Sequence, residues 1–176
     1  MSRMRKEYIE KIYAGWLAKI IGIRLGAPVE GWSSKKIRDV YGRLTGYAVK
    51  YNRFAADDDS NGPLFFIRAL EDSGKKEKLC SEDVAEALLN YVPFEHGFFW
   101  WGGYGCSTEH TAYLNLHDGI PAPRSGSIRQ NGRAVAEQIG GQIFIDSWGL
   151  VAPGNTDLAA QLAREAAGVK ATPSPL

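Results

Sequence analysis

The chain has 176 residues, a formal net charge of +1, 44% hydrophobic residues and 23% charged residues. This length is sufficient for one domain with a sizeable core. The near-neutral charge gives no electrostatic reason to expect nucleic acid or a membrane surface as a partner. No apolar run reaches the roughly 20 residues that span a bilayer, and the isolated Cys80 and Cys106 suggest no disulfide framework. We therefore expect a cytoplasmic protein that binds neither nucleic acid nor a membrane.

Helical periodicity dominates the sequence. Apolar residues from Ile9 to Ile21 follow the spacing of one helical face, and Gly26 and Pro28 end this first helix. A short helix starts at Ser33 or Ser34. Further helices are predicted over residues 63–72, 81–92, 107–117, 133–148 and 156–167. Since no long segment alternates at period two, we predict an all-α, multi-helix fold of roughly seven helices.

Several helix ends have recognisable local signals. Pro63 suits the first turn of a helix, where its missing N–H is not needed. Ser81 is the predicted cap of the next helix, and Pro93 ends it. Thr156 is the predicted cap of the last helix.

The run Asp57-Asp58-Asp59 is the strongest candidate for chemistry. Three adjacent carboxylates repel one another and are costly to bury without a cation. Their oxygens are the ligands that Mg²⁺, Mn²⁺ and Ca²⁺ prefer. Taken alone, such a run is more often a solvated acidic turn that caps a helix. The apolar segments 54–56 and 64–67 on either side favour a partly buried metal site, and both interpretations stay open.

Two loops carry groups that suit a ligand. In the first, glycines let backbone N–H groups approach an anion at the start of a helix; its candidate residues are Gly102, Gly103, Tyr104, Gly105 and Ser107. In the second, a guanidinium and a hydroxyl can hold a phosphate; its candidates are Arg124, Ser125 and Gly126. A tightly packed loop explains the first pattern equally well, and an ordinary surface loop explains the second more simply.

Four stretches together resemble the ADP-ribosylglycohydrolase family. They are the helix and glycine turn at 15–30, the metal-motif-like segment 56–60, the loop 122–127 and the helical segment 140–157. The resemblance covers residues 1–169 as one ADP-ribosylglycohydrolase-like domain, incomplete at its C-terminus. Residues 170–176 are then expected to be a disordered or non-native tail.

The resemblance implies an all-helical hydrolase with a two-metal centre, usually magnesium, with manganese as a possible substitute. It implies cleavage of a glycosidic bond to ADP-ribose, in a small molecule or linked to protein, or to a related substrate. Metal ions would orient the ribose hydroxyls and activate a water molecule. Asp57, Asp58 and Asp59 correspond to metal ligands, and Glu30 with Asp58 to catalytic carboxylates near the scissile bond. The two loops become candidate substrate contacts.

The sequence also departs from the family pattern. Ile23 stands where members often have an aspartate, and no Asp-x-Asp occurs outside the triplet. The alternative is therefore a catalytically incomplete fragment or binding remnant, which we expect to self-associate through exposed apolar surface. A third possibility is an unrelated helical glycosidase that uses Glu30 and Asp58 and keeps its activity in EDTA.

Overall fold

The computed structural model describes residues 3–52, 57–75, 78–97 and 99–170. The chain divides into two compact units, Met1–Ala55 and Ala56–Leu176. Across the described ranges the regular elements are all helices and no strand is found, so the all-α prediction is confirmed. The predicted apolar flank 54–56 lies outside the described residues.

The first unit contains two helices, α1 (Arg3–Gly26) and α2 (Ser34–Tyr41), with a 3-10 turn at Ala27–Val29 between them. The side chain of Ser33 accepts a hydrogen bond from the N–H of Lys36 at 3.2 Å and caps α2. Both the end of the first helix at Gly26 and the start of the second were correctly predicted.

Helix α1 is more apolar than the sequence reading allowed. The segment Arg5–Val29 is long and apolar enough to cross a membrane, with a mean hydropathy of 1.2. From Ile12 to Val29 the only charged residues are Lys19 and Arg24, so the expectation that no run reaches this length was wrong. Length and composition are the only criteria here, and core helices and signal sequences also meet them.

The second unit contains the remaining helices of the described chain. They are α3 (Asp58–Ser73), α4 (Ser81–Tyr91), α5 (Thr108–His117), α6 (Ile128–Asn131), α7 (Arg133–Ala136), α8 (Asp146–Val151) and α9 (Thr156–Gly168). Helix α3 packs on α4 and α8, and α9 packs on the same two helices. Their buried side chains form one core, which includes Phe66, Leu88, Phe144, Trp148, Leu162 and Val169.

The long helix predicted over residues 133–148 is instead broken into three pieces. Helix α7 ends at Ala136, a 3-10 turn follows at Ile139–Gly141, and α8 begins at Asp146. At Gly140 a Cβ atom would lie 2.0 Å from Oγ1 of Thr108. Only a glycine at position 140 therefore lets this turn pack so closely on α5. Periodicity could not reveal the break, because the apolar residues of the short pieces still point into one core.

Three predicted helix starts are displaced. Helix α3 begins five residues before Pro63, because the carboxylate of Asp57 accepts the N–H of Asp59 at 2.9 Å and caps the helix. Pro63 therefore lies inside α3. Helix α4 is capped at Cys80, one residue before the predicted Ser81, and α9 is capped by Asn155.

Ser81 holds α4 against α9. Its hydroxyl donates to Oε2 of Glu165 at 2.7 Å, and its backbone N–H donates to the same oxygen at 2.9 Å. Since the hydroxyl bond goes to a charged acceptor in a buried place, we expect Ser81→Ala to lower the free energy of unfolding by about 1–2 kcal/mol. Urea denaturation would measure this. Ser73→Ala, which removes only an exposed hydrogen bond to the N–H of Lys75, should change stability by less than about 0.5 kcal/mol.

Candidate metal centre

The three aspartates converge at the start of α3. One carboxylate oxygen from each of Asp57, Asp58 and Asp59 lies within 4.8 Å of the other two. In the described part of the chain, no other group of three or more His, Cys, Asp or Glu side chains could hold a metal in this way. Carboxylate oxygens at this spacing are the donor set of a hard divalent cation, so the residues present fit Mg²⁺ or Mn²⁺.

The helix start fixes the orientation of two of these carboxylates. Oδ1 of Asp57 and Oδ1 of Asp58 both accept the N–H of Asp59, at 2.9 Å and 3.0 Å. Each of the two carboxylates keeps a second oxygen for another partner. The triplet thus does cap a helix, as the simpler interpretation predicted. Capping leaves enough oxygen atoms for a cation, so the two interpretations are compatible.

Asp58 has a perturbed pKa. Burial raises its pKa to about 6, and the negative charges of Asp59, Asp57 and Glu109 act in the same direction. An ordinary solvated capping aspartate shows no such shift. The surroundings therefore destabilise the ionised form of Asp58, and the positive charge of a bound cation would stabilise it.

Glu109 lies in the first turn of α5, close enough to act electrostatically on Asp58. Its side chain is buried, and its Oε1 accepts the hydroxyl of Thr108 at 2.6 Å. A Cβ on Gly140 would lie 2.3 Å from the same Oε1. The carboxylate of Glu109 can occupy this position because residue 140 has no side chain. From there the negative charge of Glu109 raises the pKa of Asp58.

Lys170 brings a positive charge to the same region. Its Nζ lies 3.9 Å from Oε1 of Glu109, and it also lies over the ring of Phe144 at 3.3 Å from the centroid. The side chain is almost fully buried. Burial lowers the pKa of Lys170, and the negative charges of Glu109 and Asp58 oppose that effect.

Sequence reasoning missed both of these residues. Glu109 follows the glycine-rich loop and was not singled out, and Lys170 was expected to be the first residue of a tail. Residues 109 and 170 are 61 positions apart, and no periodic pattern connects them. The only sequence signal was the position of Glu109, two residues after the cap Ser107, which is also where ordinary capping acids occur.

The predicted glycine loop packs onto α5. The N–H of Gly103 donates to Nδ1 of His110 at 3.1 Å, and the N–H of Gly105 donates to Oγ1 of Thr111 at 2.9 Å. Ser107 is fully buried and caps α5 by accepting the N–H of His110. The N–H groups of Gly103 and Gly105 and the hydroxyl of Ser107 are therefore engaged in hydrogen bonds within the protein. Tyr104 is more than half exposed, and its hydroxyl donates to Oδ1 of Asn115 at 3.0 Å.

The acidic centre lies in the part of the chain that matches the model of a known protein family. The ADP-ribosylglycohydrolase family model matches residues 4–174. The chain belongs to the ADP-ribosylglycohydrolase family. No curated protein and no solved structure matches it. A glycohydrolase-type function therefore follows from the family, whose members act on ADP-ribosylated substrates and generally depend on metal.

The ADP-ribosylglycohydrolase match extends past the predicted domain end at residue 169. Lys170 is buried and matched, and residues 171–174 are matched but lie outside the described residues. The division into a domain at 1–169 and a tail at 170–176 thus stays a prediction.

The second predicted loop forms a 3-10 turn, Arg124–Gly126, after α5. Ser125 is fully buried, and its hydroxyl donates to the carbonyl of Val169 at 2.9 Å. Gly126 is buried as well. Arg124 is exposed and lines a cavity of about 550 Å³ together with Ser127 and Arg129. Of the three predicted contacts in this loop, Arg124 has the side chain that reaches solvent.

Glu30 belongs to the first unit. It is exposed and is the C-cap residue of the 3-10 turn Ala27–Val29. The triplet belongs to the second unit. The pairing of Glu30 with Asp58 near a scissile bond therefore stays a prediction.

Proposed function

We propose that this ADP-ribosylglycohydrolase-family chain hydrolyses a glycosidic bond to ADP-ribose, or to a closely related substrate, at a centre of two divalent ions, usually Mg²⁺. The observation that carries the proposal is the convergence of three carboxylates on one point, with Asp58 held partly away from water. A cytoplasmic location and a small-molecule or protein-linked substrate belong to the same proposal.

The residues of the triplet have separate roles in this proposal. Asp57, Asp58 and Asp59 would hold the cation, which when bound orients the ribose hydroxyls and activates a water molecule. Asp57 also fixes the first turn of α3 through the N–H of Asp59. Because burial and neighbouring charges raise its pKa, Asp58 holds a proton more readily than a solvated aspartate does. A bound cation would favour its ionised form, in which Asp58 can be both a metal ligand and a catalytic carboxylate near the scissile bond.

The substrate contacts are assigned by exposure and charge. Glu30 would act as the second catalytic carboxylate, and Arg124 would pair with a phosphate of ADP-ribose. Tyr104 offers an exposed ring for stacking on the base. Gly102 has a structural role instead, because a Cβ there would lie 2.5 Å from the ring of Trp100 and would disturb the packing of the loop.

The proposal is tested with the full chain. Release of ADP-ribose from N-linked and O-linked ADP-ribosyl substrates would be followed by chromatography, with Mg²⁺, with Mn²⁺ and with EDTA. We expect hydrolysis with the metals and none in EDTA. Activity that survives EDTA would instead support a metal-independent carboxylate pair. Calorimetric titration should give metal binding in the low-millimolar range or tighter.

A second candidate function is a binding module that holds ADP-ribose without cleaving it. In its favour, the triplet is the single cluster of metal-binding character in the described part of the chain. A centre of two ions normally requires ligands from more than one segment. Titration of the chain with ADP-ribose separates the two functions: binding without turnover of any ADP-ribosyl substrate supports the module.

Self-association is a further part of the proposal. Helix α1 exposes a row of apolar side chains four residues apart: Ile9, Tyr13, Leu17, Ile21 and Leu25. A stripe of this kind favours pairing with a second copy. Light scattering after size exclusion should give a dimer or larger species, and Leu17→Lys with Ile21→Lys should give the monomer. A monomeric parent chain at micromolar concentration would contradict this expectation.

A further inference from the structure

The ammonium group of Lys170 has an unusual environment. Its side chain is 1% exposed, and Nζ has no hydrogen-bond partner among the described residues. Oε1 of Glu109, with which Lys170 forms an ion pair, is 3.9 Å away, which is too far for a hydrogen bond. An isolated charge in such a position costs several kcal/mol, so it must be compensated by its surroundings.

Aromatic rings supply one part of this compensation. Nζ lies 3.3 Å, 4.6 Å and 5.2 Å from the ring centroids of Phe144, Phe66 and Phe99. All three rings belong to the buried core. Ring faces attract a cation, but this attraction offsets only part of the free energy lost when the charge leaves water. The cage therefore orients the ammonium group without replacing all of its lost hydration.

Carboxylates supply the other part. Glu109 is 4% exposed, and its Oε1 is shared between the Thr108 hydroxyl and the ammonium of Lys170. The negative charge of Asp58 also acts on Lys170. A buried cation and a buried anion thus lie 3.9 Å apart, and both interact electrostatically with Asp58 of the half-buried triplet.

We propose that Lys170 is the built-in counter-cation of Glu109 beside the acidic centre, and that its positive charge weakens the binding of a divalent cation to the triplet. The second half of this inference rests on the proposed metal centre, and the first half does not. Lys170 and a metal ion carry charges of the same sign beside the same carboxylates. Each therefore lowers the affinity of the centre for the other.

The first half is tested without metal, by thermal unfolding of four proteins. These are the parent chain, Glu109→Gln, Lys170→Met and the double variant. Glu109→Gln should lower Tm by roughly 6–10 °C, because it leaves a buried ammonium without its anion. Adding Lys170→Met should restore most of that loss, because methionine fits an aromatic cage and carries no charge. Additive effects of the two substitutions would overturn the proposal.

The second half is tested by calorimetric titration with Mn²⁺ at pH 6, because burial lowers the pKa of Lys170 to about 7 and the ammonium form prevails only below that pH. Lys170→Met should bind Mn²⁺ about tenfold more tightly than the parent chain, since one positive charge is removed near the ion. Lys78→Met removes the same charge from an exposed position, where solvent screens it, and should leave Kd within about twofold. An unchanged Kd in Lys170→Met would overturn this half.

Two further comparisons keep the outcomes separate. Where Lys170→Met alone does not fold, the double variant replaces it, and it should bind Mn²⁺ about tenfold more tightly than Glu109→Gln does. Where no variant binds Mn²⁺, the proposed metal centre fails and the antagonism with it. The unfolding comparison then decides by itself whether Lys170 is the counter-cation of Glu109.

Discussion

Asp58→Asn should abolish metal-dependent hydrolysis and, at the same time, stabilise the metal-free protein. Loss of one negative metal ligand should lower kcat/KM by roughly 100-fold or more and weaken Mn²⁺ binding by about tenfold or more. The gain in stability has a different origin. Burial and three like charges raise the pKa of Asp58 to about 6, so its ionised form destabilises the fold. Asparagine has nearly the same shape and no charge.

The stability gain should depend on pH with a definite sign. The folded-state pKa of about 6 lies above the ordinary value of 3.8, so the folded protein binds the proton more tightly than the unfolded chain does. Well below pH 3.8 Asp58 is protonated in both states and costs nothing. As the pH rises from 3.8 to about 6, the unfolded chain loses this proton before the folded protein does, so the parent chain loses stability that Asp58→Asn keeps. We expect a difference that is small at pH 4 and about 1–2 kcal/mol at pH 7, allowing for partial solvent screening.

Urea denaturation at pH 4, 5, 6 and 7 in EDTA measures this difference. Asp118→Asn is the matched control, because its carboxylate is exposed beside His117. It should show no comparable dependence. If Asp58→Asn is less stable than the parent chain at pH 7, the like-charge repulsion is already offset inside the protein. A variant that still hydrolyses substrate at the parental rate would remove Asp58 from the mechanism.

The acidic triplet could be found from the sequence because its members are neighbours. Adjacent carboxylates that start a helix must lie close together, whatever the rest of the fold is. The same holds for the helix caps at Ser33 and Ser107, where the predicted start was correct because the capping bond spans three residues. Local signals of this kind do not depend on distant parts of the chain.

The inner half of the centre could not be found in this way. Glu109 and Lys170 meet only because α5 and the end of α9 pack on the same core. Likewise, the sequence showed that Gly103 and Gly105 offer backbone N–H groups. It did not show that His110 and Thr111, six or seven residues later, accept them. Tertiary packing decides whether such an N–H group donates to a ligand or to another residue of the protein.

Gly62→Ala should be among the most destabilising single substitutions in the second unit. Gly62 lies inside α3, where alanine is normally the better helix former. Here the added Cβ would lie 2.5 Å and 2.7 Å from two ring carbons of Phe144, and 2.9 Å from a ring carbon of Phe99. Both rings are buried and packed on each other, with centroids 5.3 Å apart, so neither can move without disturbing the core.

We expect Gly62→Ala to lower the free energy of unfolding by about 2–3 kcal/mol, as overpacked cores do. Gly149→Ala is the matched control: Gly149 lies inside α8, and among the described residues no atom outside the local helix backbone and the neighbouring residues lies within 4 Å of an added Cβ. It should be neutral or stabilise the protein by up to about 1 kcal/mol. Denaturation of both variants in urea measures the two values.

A third variant tests whether the collision is the cause. Combined with Phe144→Leu, which removes the ring that the new methyl group meets first, Gly62→Ala should cost less than the two single substitutions added together. Additive losses would mean that the backbone of α3, and not the Phe144 ring, resists the methyl group. Because Gly62 lies one turn after Asp58, strain of this kind should also weaken Mn²⁺ binding in Gly62→Ala, and the double variant should recover part of that affinity.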